Sequence, residues 1–171
     1  MQLIVLSALC LGVWIYLLCG RSGYWRADQR LDDAAAPRRW PVVAVVIPAR
    51  DEAETIGPVI ASHMASDYPG EVRIVLVDDQ SADGTASLAR EAAGAAPAHA
   101  LTILRAEDLP DGWSGKLWAL YRGAREAAND ARQPEYFLFT DADIVHAPTT
   151  LRRLVAKAEA EGLALASLMA T

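Results

Sequence analysis

Cysteine is scarce in this sequence: its 171 residues include only Cys10 and Cys19, and both lie in an apolar N-terminal run. Neither their number nor their position suits a disulfide framework or a cysteine-based metal centre. The three histidines, His63, His99 and His146, lack the spacing typical of zinc ligands. The composition therefore argues against redox chemistry and against a zinc site.

Positive charge is in deficit, with 16 lysines and arginines against 22 aspartates and glutamates. The formal net charge is -6 and the isoelectric point is near 5.0. Proteins that bind nucleic acid usually present a basic face to the phosphate backbone. We therefore expect no nucleic-acid partner.

Charged residues are also missing from Met1 to Gly20, and Arg21 follows at once. A helix of about 20 apolar residues can span the hydrocarbon core of a bilayer. No basic region precedes the run and no small-x-small cleavage site follows it, which argues against a secretory signal. Residues 1–21 are predicted to be a single transmembrane anchor and residues 22–41 a linker, with a buried core helix as the alternative. The arginines after the span favour an inner-membrane protein whose folded domain is cytoplasmic.

Predicted strands and helices alternate from residue 42 to residue 171. The predicted strands are 42–48, 71–79, 100–106 and 135–141, and a fifth begins at Leu163. The helix in "GKLWALYRGAREAAND" carries apolar residues at Leu117, Leu120 and Ala124. Such alternation is typical of an α/β, Rossmann-like domain with a mostly parallel sheet and helices on both faces.

Acidic side chains follow three of these strands. Because parallel sheets bind ligands at the carboxyl ends of their strands, we expect these side chains to converge. Side chains alternate along an extended strand, so Asp141 and Asp143 of "DAD" should lie on one face. A dense set of carboxylates needs a divalent cation or hydrogen-bond donors to compensate it. The residues concerned are Arg50, Asp51, Glu52, Asp78, Asp79, Asp141 and Asp143.

Phosphate-binding glycine loops are missing, because the sequence has neither G-x-x-x-x-G-K-[ST] nor G-x-G-x-x-G after the first strand. Oxygen ligands alone suit Mg²⁺ or Mn²⁺, ions that commonly bridge to substrate phosphates. A nucleoside diphosphate held through a metal ion fits the pattern. Alternatives are a nucleotidyltransferase, a receiver-like domain with a structural ion, and a membrane-tethered module that binds nucleotide without turnover.

Four segments occur in a fixed order between Val42 and about Leu163: "VVIPARDEAETI", "VDDQSADGT", "GKLWALYRG" and "FTDADI". Together they resemble family 2 glycosyltransferases, which have the GT-A nucleotide-sugar fold. The longer stretch "LPDGWSGKLWAL" resembles the hopanoid-associated glycosyltransferases and relatives acting on carotenoid-type lipids.

The resemblance implies an inverting, metal-dependent enzyme that transfers a sugar from a UDP-sugar to a hopanoid or polyisoprenoid lipid. In the family, the carboxylate general base lies beyond the metal motif, in a segment without counterpart here. Residues 42–171 would therefore be the incomplete, donor-binding part of the GT-A domain, truncated at its C-terminus, and no catalytic residue is assigned. A silent nucleotide-sugar-binding module is the alternative.

The resemblance also assigns roles to individual positions. In the first motif Glu52 would border the nucleoside, although Asp51 stands where asparagine is more usual. Asp79 would accept the uracil N–H, and Lys116 would offer its charge to the diphosphate. Divalent Mn or Mg would be held by Asp143 together with Asp141. The full set of implied donor-binding residues is Pro48, Arg50, Glu52, Asp78, Asp79, Lys116 and Asp141.

Overall fold

A computed structural model describes residues 2–21, 31–94, 100–129 and 133–168. It contains two compact units, Met1–Asp32 and Asp33–Thr171. The first unit holds helix α1 (Gln2–Ile15), which continues as a π-helical stretch, Tyr16–Gly20. Together they form a 19-residue helical span, Gln2–Gly20, with a mean hydropathy of 2.4, long and apolar enough to cross a membrane. No residue of α1 is buried, unlike the residues of a core helix.

The second unit is built on a four-stranded sheet with the order β3-β2-β1-β4, and every pairing in it is parallel. Its strands are β1 (Val43–Ala49), β2 (Val72–Asp78), β3 (Ala100–Arg105) and β4 (Tyr136–Phe139). Its helices are α2 (Ile56–Met64), α3 (Thr85–Ala93), α4 (Gly115–Ala128) and α5 (Thr150–Glu161).

Strand β1 is one of the two inner strands of the sheet and is buried on both faces. Val43, Val45 and Ile47 pack on one side with apolar residues of α2, α3 and α5, whereas Ala44 packs on the other side with alanines of α4. Continuous β-branched sequence is what a strand covered on both faces requires. The predicted parallel sheet with helices on both faces is confirmed.

The order of the strands determines where a ligand can enter. From β1 the chain moves outward through β2 to β3, and then returns to place β4 on the opposite side of β1. The connections after β1 and β4 therefore diverge, which opens a crevice at the carboxyl ends of these strands. The polar residues that follow β1, β2 and β4 all lie at this edge.

Helix α4 packs against the sheet through its small residues, Ala119, Gly123 and Ala127. A Cβ atom added at Gly123 would clash with Val46 and stand 2.9 Å from a methyl group of Val77. The predicted apolar positions are therefore wrong in part, since Leu117 is exposed. Close approach of the helix to the sheet leaves room only for small side chains on the buried face.

The predicted fifth strand is wrong for the residues that the structure describes. Residues 163–168 have no strand conformation, and Leu165 keeps 85% of its surface exposed. The alternating leucines are typical of a strand, but a strand also needs a neighbour whose backbone supplies hydrogen bonds. No described residue of this segment pairs with the sheet. At its start, Leu163 N donates to Ala158 O of α5.

The second unit includes the end of the segment predicted to be a linker. The Tyr68 hydroxyl donates to the Pro41 carbonyl at 2.6 Å, and the ring of Trp40 meets that of Tyr68 edge-on at 5.2 Å. Arg39 makes a bidentate ion pair with Glu135, just before β4. These contacts hold residues 39–41 against the sheet.

Candidate functional site

A cavity of about 380 Å³ opens at the carboxyl ends of β1, β2 and β4. It brings together seven of the eight residues to which the sequence motifs assign donor or metal binding. Asp78 does not line it. The lining residues are Pro48, Ala49, Arg50, Glu52, Asp79, Gly115, Lys116, Ala119, Asp141, Ala142 and Asp143.

Two cations and four carboxylates face this cavity. Lys116 Nζ lies 2.6 Å from Asp141 Oδ1, and Arg50 Nη1 lies 3.5 Å from Asp79 Oδ2. The side chains of Lys116 and Arg50 remain 59% and 69% exposed, so both can move toward a ligand. The excess of negative charge leaves the cavity suited to a divalent cation that brings an anionic ligand with it.

Asp141 and Asp143 reach the cavity from a turn and not from a strand. Strand β4 ends at Phe139, and residues 142 and 143 form the turn. Asp141 and Asp143 line the same cavity, which is consistent with the prediction that both carboxylates lie on one face. The reason given for that prediction, alternation along a strand, is wrong because β4 ends before Asp141. The turn between them buries Ala142 and leaves Asp143 exposed.

The pair Asp141 and Asp143 fits an ion that takes only part of its coordination from protein. Within the described ranges, no group of three or more histidine, cysteine, aspartate or glutamate side chains is arranged to hold a metal. Mg²⁺ commonly binds through one or two carboxylates and completes its shell with water and substrate phosphates. The residues present therefore fit a hard divalent ion that binds together with a diphosphate.

Asp79 is held beside β1, where its carboxylate can face a ligand. Its N–H donates to the Ala49 carbonyl at 2.8 Å, and its side chain is only 21% exposed. Asp78, one residue earlier, instead accepts a hydrogen bond from Ser81 N at 3.0 Å. The structure thus separates the two aspartates, with Asp79 in the cavity and Asp78 supporting the following loop.

Asp51 links the loop after β1 to the loop after β2. Its Oδ1 accepts from Ala82 N at 2.8 Å, while its own N–H donates to Ser81 Oγ at 3.0 Å. Asp51 and Gln80 both have positive φ, 54° and 60°, a conformation that most non-glycine residues avoid. Aspartate tolerates it better than most residues, which gives a structural reason for a short polar side chain here.

Asp83 makes a second link between the same loops. Its carboxylate accepts from Ala53 N at 2.9 Å, from Thr85 N at 3.0 Å and from the Thr85 hydroxyl at 2.6 Å. The Thr85 hydroxyl in turn accepts from Glu52 N at 2.9 Å. Hydrogen bonds from Thr85 and then from Ala53 hold the pKa of the Asp83 carboxyl below its usual range. The sequence analysis does not identify Asp83 as a site residue, although "DGT" after the acidic pair indicates a turn.

Replacing Asp83 with alanine is expected to weaken nucleotide binding several-fold without unfolding the chain. Alanine removes the acceptor that holds Ala53, and with it the constraint on neighbouring Glu52 in the cavity wall. Asp83→Asn keeps one acceptor oxygen and should lose less affinity. Calorimetric titration of UDP with Mn²⁺ measures both, and melting curves check folding. Equal affinities for wild type and Asp83→Ala would show that this link does not shape the cavity.

Two histidines pack behind the Asp141–Asp143 turn, with ring centroids 4.7 Å apart. His63 is 3% exposed, and its Nε2 atom has no hydrogen-bond partner within the described residues. His146 Nε2 lies 2.9 Å from the Thr140 hydroxyl. Burial, reinforced by His146, lowers the pKa of His63 to about 4, and burial also lowers the pKa of His146. Burial therefore favours the neutral form of both rings.

The depressed pKa of His63 predicts a loss of stability in mild acid. The unfolded histidine takes up a proton near pH 6.5, whereas the folded one resists protonation until about pH 4. Stability should thus be full above pH 6.5 and fall toward pH 4, by up to about 3 kcal/mol. Urea unfolding of the detergent-solubilised chain across this window measures it. His63→Phe should flatten the decline, and a variant with the wild-type slope would contradict the assignment.

The sequence of this chain is similar to those of known proteins. Residues 44–170 match the model of glycosyl transferase family 2. The 4,4'-diaponeurosporenoate glycosyltransferase of Staphylococcus aureus (strain USA300) is 31% identical over 103 residues, which cover 60% of this chain and 24% of that protein. This chain therefore corresponds to about a quarter of the length of that curated relative.

Solved structures share the fold. The mannosyltransferase PcManGT from Pyrobaculum calidifontis, in complex with GDP-Man and Mn²⁺, is 31% identical with a TM-score of 0.66. The match covers 91% of this chain and 42% of that one. TarS 1–349 of S. aureus in complex with UDP-GlcNAc is 22% identical with a TM-score of 0.55, covering 68% of this chain and 31% of that one. At that identity the likeness concerns the fold alone.

Proposed function

Because this chain belongs to glycosyl transferase family 2 and has a GT-A-type fold, we propose that it forms the donor-binding part of a membrane-associated glycosyltransferase. The enzyme would transfer a sugar from a UDP-sugar to a lipid acceptor of the hopanoid or polyisoprenoid class. The observation that carries the proposal is the cavity at the ends of β1, β2 and β4, where two cations and four carboxylates meet. A divalent ion offsets the excess of carboxylates over cations in this set, and Lys116 and Arg50 can then turn toward the phosphates of a donor.

The residues that the family resemblance assigns to the donor have distinct roles in the cavity. Asp79 accepts the uracil N–H, and Glu52 borders the nucleoside together with Pro48 and Arg50 of the same loop. Lys116 is paired with Asp141 at 2.6 Å and exchanges this partner for the diphosphate when the donor binds. A lysine ammonium is a mobile point charge and suits this exchange.

Asp141 and Asp143 would hold the divalent ion. When bound, Mn²⁺ or Mg²⁺ supplies positive charge to the diphosphate, which accumulates negative charge as a leaving group. Asp141 has two oxygens, so it can also meet the ribose or the sugar. The protein's own contribution is a set of charges already in place before the donor arrives.

The proposed reaction is attack by an acceptor hydroxyl on the anomeric carbon of the sugar, with inversion. The bond from that carbon to the diphosphate breaks as the new glycosidic bond forms, and UDP leaves. Deprotonation of the acceptor requires a general base. The cavity carboxylates are assigned to the donor and its ion, so the base is assigned to none of them.

The apolar helix and one relative support the lipid acceptor and the membrane location. The N-terminal 19 residues could cross a membrane by length and composition. The S. aureus relative is named for 4,4'-diaponeurosporenoate. Arginines that follow the span in sequence support a cytoplasmic domain on the inner membrane.

A GDP-sugar is the second candidate donor. PcManGT, whose structure contains GDP-Man and Mn²⁺, is 31% identical to this chain, whereas TarS with UDP-GlcNAc is only 22% identical. Uridine is the first candidate here because the family resemblance assigns the uracil N–H to Asp79, whose carboxylate lines the cavity. The alternative of a silent binding module shares the same donor site.

Competition among nucleotides tests this proposal. The full chain in detergent, with Mn²⁺, is titrated with a fluorescent UDP analogue, which is then displaced by UDP, GDP, CDP or ADP. We expect UDP to displace the probe at the lowest concentration. If GDP instead displaces the probe at the lowest concentration, the donor is a guanosine nucleotide and not a uridine nucleotide. A probe that fails to bind a folded chain would contradict the donor site itself.

A further inference from the structure

Two large side chains of α4, those of Leu117 and Tyr121, lie on its outer side, while those of Trp118 and Leu120 are half-buried. The helix turns Ala119, Gly123 and Ala127 to the sheet, whereas Leu117 is 59% and Tyr121 is 41% exposed. A surface helix normally buries its large apolar residues and exposes polar ones. The reversal in α4 indicates that its outer side meets something other than water.

Aromatic rings form a connected cluster on that outer side. Trp113, in the loop before α4, lies 5.3 Å from Trp118 and 5.2 Å from Tyr121, measured between ring centroids. Trp118 and Tyr121 stack at 5.5 Å. Trp113 is itself 41% exposed. We call Trp113, Leu117, Trp118 and Tyr121 the α4 aromatic face.

Cations border this face toward the end of the helix. The guanidinium of Arg122 lies over the Trp118 ring at 5.9 Å, and that of Arg125 over the Tyr121 ring at 5.6 Å. Arg122 also pairs with Glu107. Leu117, Tyr121 and Arg125 are spaced four residues apart and form one exposed row on the helix. Their side chains are apolar, amphipathic and cationic in that order.

These features favour one kind of partner. Tryptophan and tyrosine are the side chains enriched at membrane–water interfaces, and arginine beside them suits lipid phosphates. Tryptophan, tyrosine and arginine are also enriched at protein–protein interfaces, so the choice of a membrane depends on the apolar helix of the same chain. The same chain carries an apolar helix of 19 residues able to span a bilayer, which would keep the folded unit at a membrane surface.

We propose that the α4 aromatic face inserts into the interfacial layer of the lipid bilayer. The inference rests on the proposed membrane location. Gly115 and Lys116, which begin the same helix, line the donor cavity. Docking through α4 therefore presents that cavity to the lipid surface, where a lipid acceptor would lie.

A site-directed label on the full chain tests the docking. Cys10 and Cys19 are replaced with alanine, and the environment-sensitive fluorophore NBD is attached to Leu117→Cys. The matched control carries it on Glu91→Cys, an exposed position of α3 on the opposite side of the sheet. Both proteins are reconstituted into vesicles of phosphatidylcholine and phosphatidylglycerol in equal parts, with or without bromine on the acyl chains.

We expect the label at position 117 to emit at shorter wavelength and to be quenched by brominated lipid, and the label at position 91 to show neither change. Adding Trp113→Ser and Tyr121→Ser should abolish the quenching while the circular dichroism is unchanged. Equal quenching at both positions would overturn the proposal. A blue shift of the label at position 117 without quenching would also overturn it, because it would show that a protein surface and not lipid covers the α4 aromatic face. UDP binding by the same vesicles is read separately, so a failed donor site is distinguished from a failed docking face.

Discussion

Replacing Asp143 with alanine is expected to abolish Mn²⁺-dependent binding of UDP, with a loss of at least about a hundred-fold in affinity. Asp143 is exposed at the rim of the cavity, while Asp141 beside it is already paired with Lys116. Losing one of the two carboxylates assigned to the ion should leave the ion without an adequate site. Calorimetry with Mn²⁺ measures the loss.

Two variants control this result. Asp143→Asn keeps the shape but removes the charge, and should also lose most of the affinity because Mn²⁺ prefers anionic oxygen. Asp108→Ala removes an exposed carboxylate that does not line the cavity and should bind like wild type. If Asp143→Ala binds UDP normally and still requires Mn²⁺, the ion is held elsewhere.

Replacing Asp79 with alanine is expected to weaken UDP binding by about ten- to a hundred-fold, the usual range for a hydrogen bond to a charged group. The loss should fall mainly on uridine, because the carboxylate is assigned to the uracil N–H. The ratio of UDP to GDP affinity, measured by competition in Mn²⁺, should therefore drop toward one. A uniform loss for both nucleotides would show that Asp79 supports the cavity but does not select the base.

Gly115 offers an independent test of Asp79. A Cβ atom at this position would stand 2.9 Å from Asp79 Oδ2, so Gly115→Ala should displace that carboxylate without removing it. The expected change in base preference is the same as for Asp79→Ala, though smaller. A control is Gly57→Ala in α2, where an added Cβ meets no atom within 4 Å. Unchanged base preference in Gly115→Ala would weaken the assignment.

Much of the fold could be predicted because its signals are local. Continuous β-branched runs ending in proline or aspartate identify buried parallel strands, and the order of polar residues after them identifies the binding edge. For the same reason, the sequence predicts that the acidic residues after β1, β2 and β4 converge, whereas Lys116 is assigned to the site only through the family resemblance. Parallel strands bring their carboxyl ends together whatever the details of the loops.

The errors come from features that depend on partners distant in sequence. Residues 163–168 have a strand-like pattern, yet none of them pairs with a described strand of the sheet. The outward direction of Leu117 follows from how closely α4 approaches Val46 and Val77, which periodicity does not encode. The links made by Asp51 and Asp83 depend on two loops 30 residues apart meeting in space.

The most direct test of the central claim is a calorimetric titration of UDP into the full chain in detergent, once with Mn²⁺ and once with a chelator. We expect saturable binding of UDP with one site per chain in Mn²⁺ and no binding in the chelator. Without a bound ion, the carboxylates of the cavity repel the diphosphate. Equal binding of UDP under both conditions would contradict a metal-dependent donor site. So would the absence of UDP binding in Mn²⁺ when circular dichroism shows that the chain is folded.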